Sequence, residues 1–269
     1  MSDPRKSLIV PPGRSWSLAD VDPGDTSLVG DKDKAKERLV QDAEAIAEWQ
    51  EKLFAERRRA LLVVLQGTDT SGKDGTVRGV FGRTGPMGLQ ITAFGRPSTE
   101  ELAHDFLWRI HAACPRRGII GVFNRSHYED VLVGRVRKLA DAETIERRFG
   151  QILAFEEMLA SSTTIVKIML HISKDEQRER LQARLDDPEK TWKFDPGDIE
   201  DRRHWDAYQD AYQDVLARTS TAAAPWYVVP ADKKWARNAL VAGIVRRTLE
   251  EMKPRFPKPD FDPAAIVVE

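Results

Sequence analysis

The chain has 269 residues, 41% of them apolar, and its 42 basic against 43 acidic residues leave a net charge of −1, so bulk opposite charge cannot be what holds it to a partner. No stretch approaches the roughly 20 uninterrupted apolar residues of a membrane-spanning helix, and the N-terminus, with Asp3, Arg5, Pro11 and Pro12, lacks the apolar core of a signal peptide. The expectation is one soluble, cytoplasmic domain with neither a membrane nor a nucleic acid as partner, in which the single Cys114 reads as a small buried hydrophobe near a helix end.

Residues 1–31, rich in Pro, Gly and Asp, read as an irregular arm. From Lys32 to Arg59 the apolar positions Ala35, Leu39, Ala43, Ile46, Trp49 and Leu53 recur at three- and four-residue steps, which predicts one amphipathic helix. It closes on Arg57, Arg58 and Arg59, charges suited to a helix C-terminus. Leu61 to Leu65 is a continuous apolar run of the kind found in a strand covered on both faces. Strands follow near Leu89–Phe94, Gly118–Phe123, Thr164–His171 and Trp226–Val229. Helices are expected near Lys73–Phe81, Thr99–His111, Asp141–Ala160, Lys174–Leu185, Ile199–Arg218 and Trp235–Met252. Ser98 with Glu101 and Ser173 with Glu176 carry the capping-box signature. Alternating strand and helix makes this an α/β chain with a parallel sheet flanked by helices. Residues 32–252 form the domain and residues 253–269, with four prolines, a surface tail.

Directly after the first strand, Gly67-Thr-Asp-Thr-Ser-Gly72-Lys73 matches seven positions of the phosphate loop. Its glycines let successive N–H groups face one anion, the next helix adds its positive end, and Lys73 supplies a point charge. Asp74 stands where the pattern has a magnesium-binding Ser or Thr, so Asp69, inside the loop, becomes a candidate metal ligand. The third strand delivers Asn124-Arg-Ser-His-Tyr-Glu-Asp130 at its carboxyl end, where open α/β sheets bind ligands. Asp130 or Glu129 can complete a metal shell there, Arg125 can neutralise a transferring phosphoryl group, and His127 reads as a hydrogen-bonded support. Between two later helices, residues 187–197 with Arg178, Arg180, Arg184, Lys190 and Lys193 around them suggest a lid near 184–200. A solvated charged face is the plainer alternative. From Gly67 to Lys138 there are eleven basic and seven acidic residues, a local excess where the motifs lie.

These residues resemble the polyphosphate kinase 2 family. The likeness rests on Gly67 to Gly75, Phe106-Leu-Trp-Arg-Ile-His111 followed by Pro115, Phe123 to Val133, and Trp192-Lys-Phe with Asp201-Arg-Arg-His-Trp-Asp206, in the family's order over residues 30–252. The resemblance implies a thymidylate-kinase-like P-loop kinase fold with a helical lid, and reversible transfer of a terminal phosphate between inorganic polyphosphate and adenine or guanine nucleotides. It implies Mg²⁺ or Mn²⁺ as cofactor and a homo-oligomer. As catalytic residues it implies Asp69, Lys73, Arg125 and Asp130, with Asp69 and Asp130 on the metal. Thr70, Gly72, Gly75, Thr76, Asn124, Glu129, Arg135, Arg184, Lys190 and Lys193 would contact nucleotide or polyphosphate. Many family members acting on nucleoside diphosphates carry Asp where this chain has Asn124, so the second metal acid moves to Asp130, and the motif resembles the subgroup accepting both AMP and ADP. Two other readings share these features: a nucleoside monophosphate kinase using ATP, and a nucleotide-binding switch without turnover, whose guanine-reading Asn-Lys-x-Asp signature is absent.

Overall fold

The structure, a computed structural model, describes residues 4–13 and 15–268. Five parallel strands, β1 (Ala60–Gln66), β2 (Leu89–Ala93), β3 (Ile120–Asn124), β4 (Thr163–His171) and β5 (Trp226–Pro230), form a sheet in the order β2-β3-β1-β4-β5. The first strand lies in the middle, with Leu61 to Leu65 paired to Ile120–Asn124 on one side and to Thr164–Ile168 on the other. All seven residues of β1 are buried, as an unbroken apolar run in a doubly covered strand should be. The pleat divides them. Leu61, Val63 and Leu65 join one core and Leu62 and Val64 the other, because successive strand side chains point to opposite faces.

The first face is covered by α1 (Lys32–Glu56), α2 (Lys73–Phe81) and α10 (Lys234–Met252), which pack on one another. Ile46 and Leu53 of α1 and Val241, Ile244, Val245 and Leu249 of α10 are fully buried there. The expected helix start is set by Asp31, whose carboxylate accepts the Asp33 and Lys34 N–H groups, and its end by Arg57 in the left-handed region. On the other face lie α5 (Glu129–Val136), α6 (Ala142–Ala160) and α9 (Trp205–Thr219). Two short helices, α3 (Thr99–Leu102) and α4 (Trp108–Ala113), follow β2, while α7 (Lys174–Asp186) and α8 (Pro196–Arg203) flank residues 187–195, the segment expected to be a lid.

Four local expectations are corrected. The helix expected over Thr99–His111 is two helices, since Asp105 turns the chain by accepting the Leu107 N–H at 3.0 Å. The helix expected over Ile199–Arg218 starts earlier, on Pro196 behind the Asp195 cap, and breaks at His204, a break that lets Arg137 and Tyr208 both reach Asp201 at 2.7 and 2.6 Å. An unexpected helix, α5, begins inside the polar motif at Glu129. Ser98 and Glu101 form the complete capping box, but Ser173 makes only half of one. Its hydroxyl caps Glu176 N–H at 3.1 Å, its own N–H goes to Asp232 at 2.8 Å, and the Glu176 carboxylate is drawn to Arg180 at 2.8 Å.

The N-terminal arm is not loose. Ile9 bridges antiparallel to Tyr227, Val10 N–H and Val228 N–H exchange bonds with Trp226 and Leu8 carbonyls at 2.9 and 2.8 Å, and Leu8, Val10 and Leu18 are buried. At the other end the chain leaves α10 through Lys253 in the left-handed region and runs exposed over residues 255–263 and 265–268, with Arg255 N–H on Glu56 at 3.2 Å. Cys114 caps the end of α4 and is half-buried, where burial pushes its thiol up to about 11. Among the described residues no helix is long and apolar enough to cross a membrane.

Candidate active site

The carboxyl ends of β1 and β3 deliver the two motifs side by side, because their strands pair in register from Leu61 and Ile120 onward. The loop after β1 curls tightly. Gly67, Thr70 and Gly72 have φ of 147°, 63° and 97°, and the Lys73 ammonium folds back onto the Gly67 and Thr68 carbonyls at 2.7 and 3.2 Å. The Gly67 N–H donates to the buried Tyr212 phenol at 3.1 Å. No hydrogen bond within the described residues takes the N–H groups of Gly72 and Lys73, and the buried hydroxyls of Thr68 and Thr70 have no partner. Unpaired donors at a helix N-terminus form a ready anion site. Lys73 is buried, not solvent-facing; burial first and the nearby Arg125 charge second bring its pKa down to about 8.

Arg125, itself in the left-handed region with φ 65°, reaches across the cleft. One nitrogen donates to Asp69 Oδ1 and the other to Glu129 Oε2 at 3.3 Å. Glu129 and Asp69, opposed by burial, hold its guanidinium above its ordinary range. Thr68, Asp69, Arg125, Glu129, Tyr208 and Tyr212 line a cavity of about 30 Å³, room for about one water molecule. Asn124 lies beside this cluster and donates to Asp74 Oδ1 at 2.7 Å. The two departures from the expected motifs thus answer each other: an Asp at 124 would set a second carboxylate against Asp74.

The remaining expected site residues fall elsewhere. Asp130 does not line the cavity; its carboxylate faces Arg148 at 3.8 Å, and burial raises its pKa. Thr76 is fully buried against α10, 3.5 Å from Asn238 Oδ1, and Gly75 backs onto the Arg237 guanidinium. Arg135 pairs with Asp214 on the surface. Around the segment expected to be a lid, Arg184 Nη1 holds Asp198 at 3.2 Å and the Lys193 carbonyl at 3.1 Å, Lys190 pairs with Asp187 at 2.5 Å, and Lys193 lies over Trp192. Asp198 faces inward, and burial together with Asp69 pushes its pKa up to about 6. Arg178 is exposed, 3.5 Å from Asp175.

His127 is a support, as expected. It sits 3.2 Å from Glu156, which also accepts from Tyr128 at 2.8 Å and from the fully buried Lys167 at 2.5 Å. This buried network of Tyr128, Glu156 and Lys167, which fixes the start of α5, was not foreseen from the sequence. Nor was the role of Arg180, which belongs to the back of the phosphate loop and not to the lid. Its Nη1 holds the Thr70 and Ser71 carbonyls at 2.9 and 3.2 Å and its Nη2 the Ala231 carbonyl at 2.7 Å.

The family model described as Polyphosphate kinase 2 matches residues 29–257. The chain belongs to that family. It is 50% identical over 267 residues to an AMP/ADP-polyphosphate phosphotransferase of Meiothermus ruber, covering 98% of this chain and 100% of the relative. An ADP-polyphosphate phosphotransferase of Rhodopseudomonas palustris is 42% identical over 240 residues, 84% of this chain and 83% of its own. Among solved structures, polyphosphate kinase 2 from Arthrobacter aurescens superposes with a TM-score of 0.94 at 48% identity, covering 98% of this chain and 95% of the other. The polyphosphate kinase 2 assignment and the parallel sheet with its phosphate loop establish the P-loop kinase fold expected from the motifs.

A divalent ion in a phosphate-transfer site takes one or two carboxylates and completes its shell from substrate oxygens and water. Among the described residues no group of three His, Cys, Asp or Glu side chains forms a metal cage. Asp69 and Glu129, each with only 16% of its side chain exposed and both on Arg125, supply two hard oxygen donors beside the anion cradle. That donor set fits a metal shared with substrate phosphates.

Proposed function

We propose that this protein moves the terminal phosphate of inorganic polyphosphate onto both AMP and ADP, reversibly, with Mg²⁺. The observation that carries the reading is the cradle of unpaired N–H groups beside Lys73, Arg125 and two carboxylates, in a chain matching end to end a relative named for both acceptors. The loop N–H groups and Lys73 hold donor phosphates. Arg125 turns from Asp69 and Glu129 onto the transferring group, where its fork of donors meets the three equatorial oxygens. An acceptor phosphate oxygen forms the new bond to phosphorus as the bridging oxygen of the polyphosphate leaves, one unit shorter. Asp69, with Glu129 as the second acid in place of Asp130, would hold the divalent ion, which would supply charge neutralisation at the phosphate oxygens. The segment 187–195 closes over the site and excludes water.

The test offers the purified protein AMP, ADP and GDP separately with polyphosphate, with and without Mg²⁺, beside an ATP-plus-AMP control. ADP from AMP and ATP from ADP, both requiring polyphosphate and Mg²⁺, are expected. Transfer in the control alone would replace polyphosphate by ATP as donor, and no product from AMP would remove the dual-acceptor reading.

A further inference from the structure

Arg237, in the first turns of α10, is 2% exposed, yet among the described residues no carboxylate pairs with it. Its Nη1 donates to the Ser71 carbonyl at 3.1 Å, and its Nε and Nη2 donate to Asn238 Oδ1 at 3.0 and 2.9 Å. Arg180 shares the same Ser71 carbonyl at 3.2 Å, so one peptide oxygen is clamped by two guanidiniums. The surroundings add positive charge. α10 begins behind Lys233 with no acid in its first turn, and burial with Arg180 and Arg237 lowers the pKa of Lys234. Of the acids nearby, Glu176 is bonded to Arg180 and the Asp232 carboxylate accepts the Ser173 N–H. Burial and the Arg180 charge bring Arg237 itself down to about 10, so it stays charged at neutral pH.

A buried cation without a paired anion is costly for a fold. Here it is nonetheless built in closely: a Cβ on Gly72 would lie 1.8 Å from Arg237 Nη1, so the glycine makes room for the guanidinium besides permitting φ 97°. The Ser71 carbonyl it polarises belongs to the same peptide as the Gly72 N–H, which no acceptor among the described residues takes. Hydrogen bonds in a chain strengthen one another, so polarising that carbonyl makes the N–H a better donor.

We propose that Arg237 is a positioning residue of the phosphate loop whose buried positive charge finds its counter-charge on the phosphates bound there, through the Ser71–Gly72 peptide. This rests on the phosphotransfer reading. It predicts that phosphate binding relieves an electrostatic cost present in the free protein, so that Arg237 acts on affinity more than on turnover.

The experiment compares Arg237→Met, Arg237→Lys and Asn238→Ala with the wild type. Two quantities are read: the shift in Tm produced by ADP and by tripolyphosphate, and kcat and KM for polyphosphate with ADP. Arg237→Met should bind both phosphates roughly tenfold more weakly, the loss typical of a charge-assisted hydrogen bond. Its ligand-induced Tm shift shrinks accordingly, and KM rises with kcat largely kept. Arg237→Lys, which keeps the charge, should recover most of the affinity, and Asn238→Ala, which keeps the guanidinium, should bind as the wild type does. Wild-type ligand shifts and KM in Arg237→Met would overturn the proposal, as would an equal loss in all three variants. If Arg237→Met does not fold, Arg237→Gln against Arg237→Lys decides on the same readouts. A wild type that is stabilised by tripolyphosphate but transfers nothing would overturn the phosphotransfer reading while leaving the Arg237 comparison intact.

Discussion

Arg180 and Arg237 lie 9% and 2% exposed beneath the phosphate loop, each held by several oxygens, whereas Trp192 in the lid is 77% exposed, Lys190 beside it is exposed and Lys193 is half-buried. Both regions are rich in cations, and the difference is what holds them. Under the loop, the Thr70 and Ser71 carbonyls of the loop itself and the Ala231 carbonyl just past β5 hold the two guanidiniums before substrate arrives. In the lid, Lys190 has one neighbour three residues away and Lys193 one aromatic ring. Preorganised charge costs no rearrangement at the moment of reaction, while mobile exposed charge acts mainly through a field that salt screens. Mutations in the two regions should therefore differ in size and in salt dependence.

The largest effect is expected at Lys73. Lys73→Met should lower kcat/KM by about 10³-fold, the scale of losing one preorganised donor at a transferring charge, while circular dichroism and Tm report a folded protein. Turnover within a few-fold of wild type would show that the loop does not carry the reaction. Next come the two acids. Asp69→Asn should lose about 10²-fold and shift the Mg²⁺ titration midpoint upward, whereas Asp130→Asn, whose carboxylate faces Arg148 and not the cavity, should leave that midpoint unchanged. The reverse pattern would return the metal to Asp130.

That reassignment marks where the sequence stopped being legible. Period-two and period-3.6 patterns carried β1, α1 and the parallel sheet, because burial on one or both faces writes itself into neighbouring residues. The phosphate loop was readable for the same reason: its strand, glycines and lysine are contiguous. Within Asn124–Asp130, however, spacing could not tell which acid faces the cleft, since α5 begins at Glu129 and its rotation sends adjacent residues about 100° apart. Arg180 looked like a lid residue because it is near the lid in the chain, yet its partners are Thr70 and Ser71, 110 and 109 residues away. Arg237 lies 166 residues from Ser71, and no local pattern connects them. Asn124 and Asp74 were each visible as departures, but only the fold shows that they are bonded to each other.

A smaller effect comes from pH. With its pKa near 8 in the free protein, Lys73 loses its charge as the pH rises through that value, so kcat/KM for polyphosphate should fall about tenfold per unit above pH 8. On the fold the sign is opposite: the folded chain releases this proton before the unfolded one, whose lysine keeps the usual 10.5, so the cost of burying the charge is present below about 8 and is relieved as the pH rises toward 10.5. Lys73→Arg, which stays charged, should show no such fall at whatever rate it retains. A wild-type profile flat to pH 10 would place the titration elsewhere.

The smallest effect belongs to the lid, where the comparison is sharpest. Replacing Lys190 and Lys193 together by alanine removes one exposed and one half-buried charge, and an exposed ion pair such as Lys190 with Asp187 adds little to stability, so Tm should hardly move. What changes is attraction. A long polyanion feels the lid's field over about 10 Å at 0.1 M salt, so the variant should show a KM for polyphosphate raised a few-fold at low salt and a shallower dependence of rate on ionic strength, with the two proteins converging as salt rises. Arg237→Met, by contrast, should keep most of its deficit at high salt, because its charge sits where ions do not reach. If the lid variant kept the wild-type salt dependence, the lysines would be an ordinary solvated face; if the Arg237 deficit vanished with salt, the buried and exposed cations would be acting by one long-range field, and the distinction between the two regions would fail.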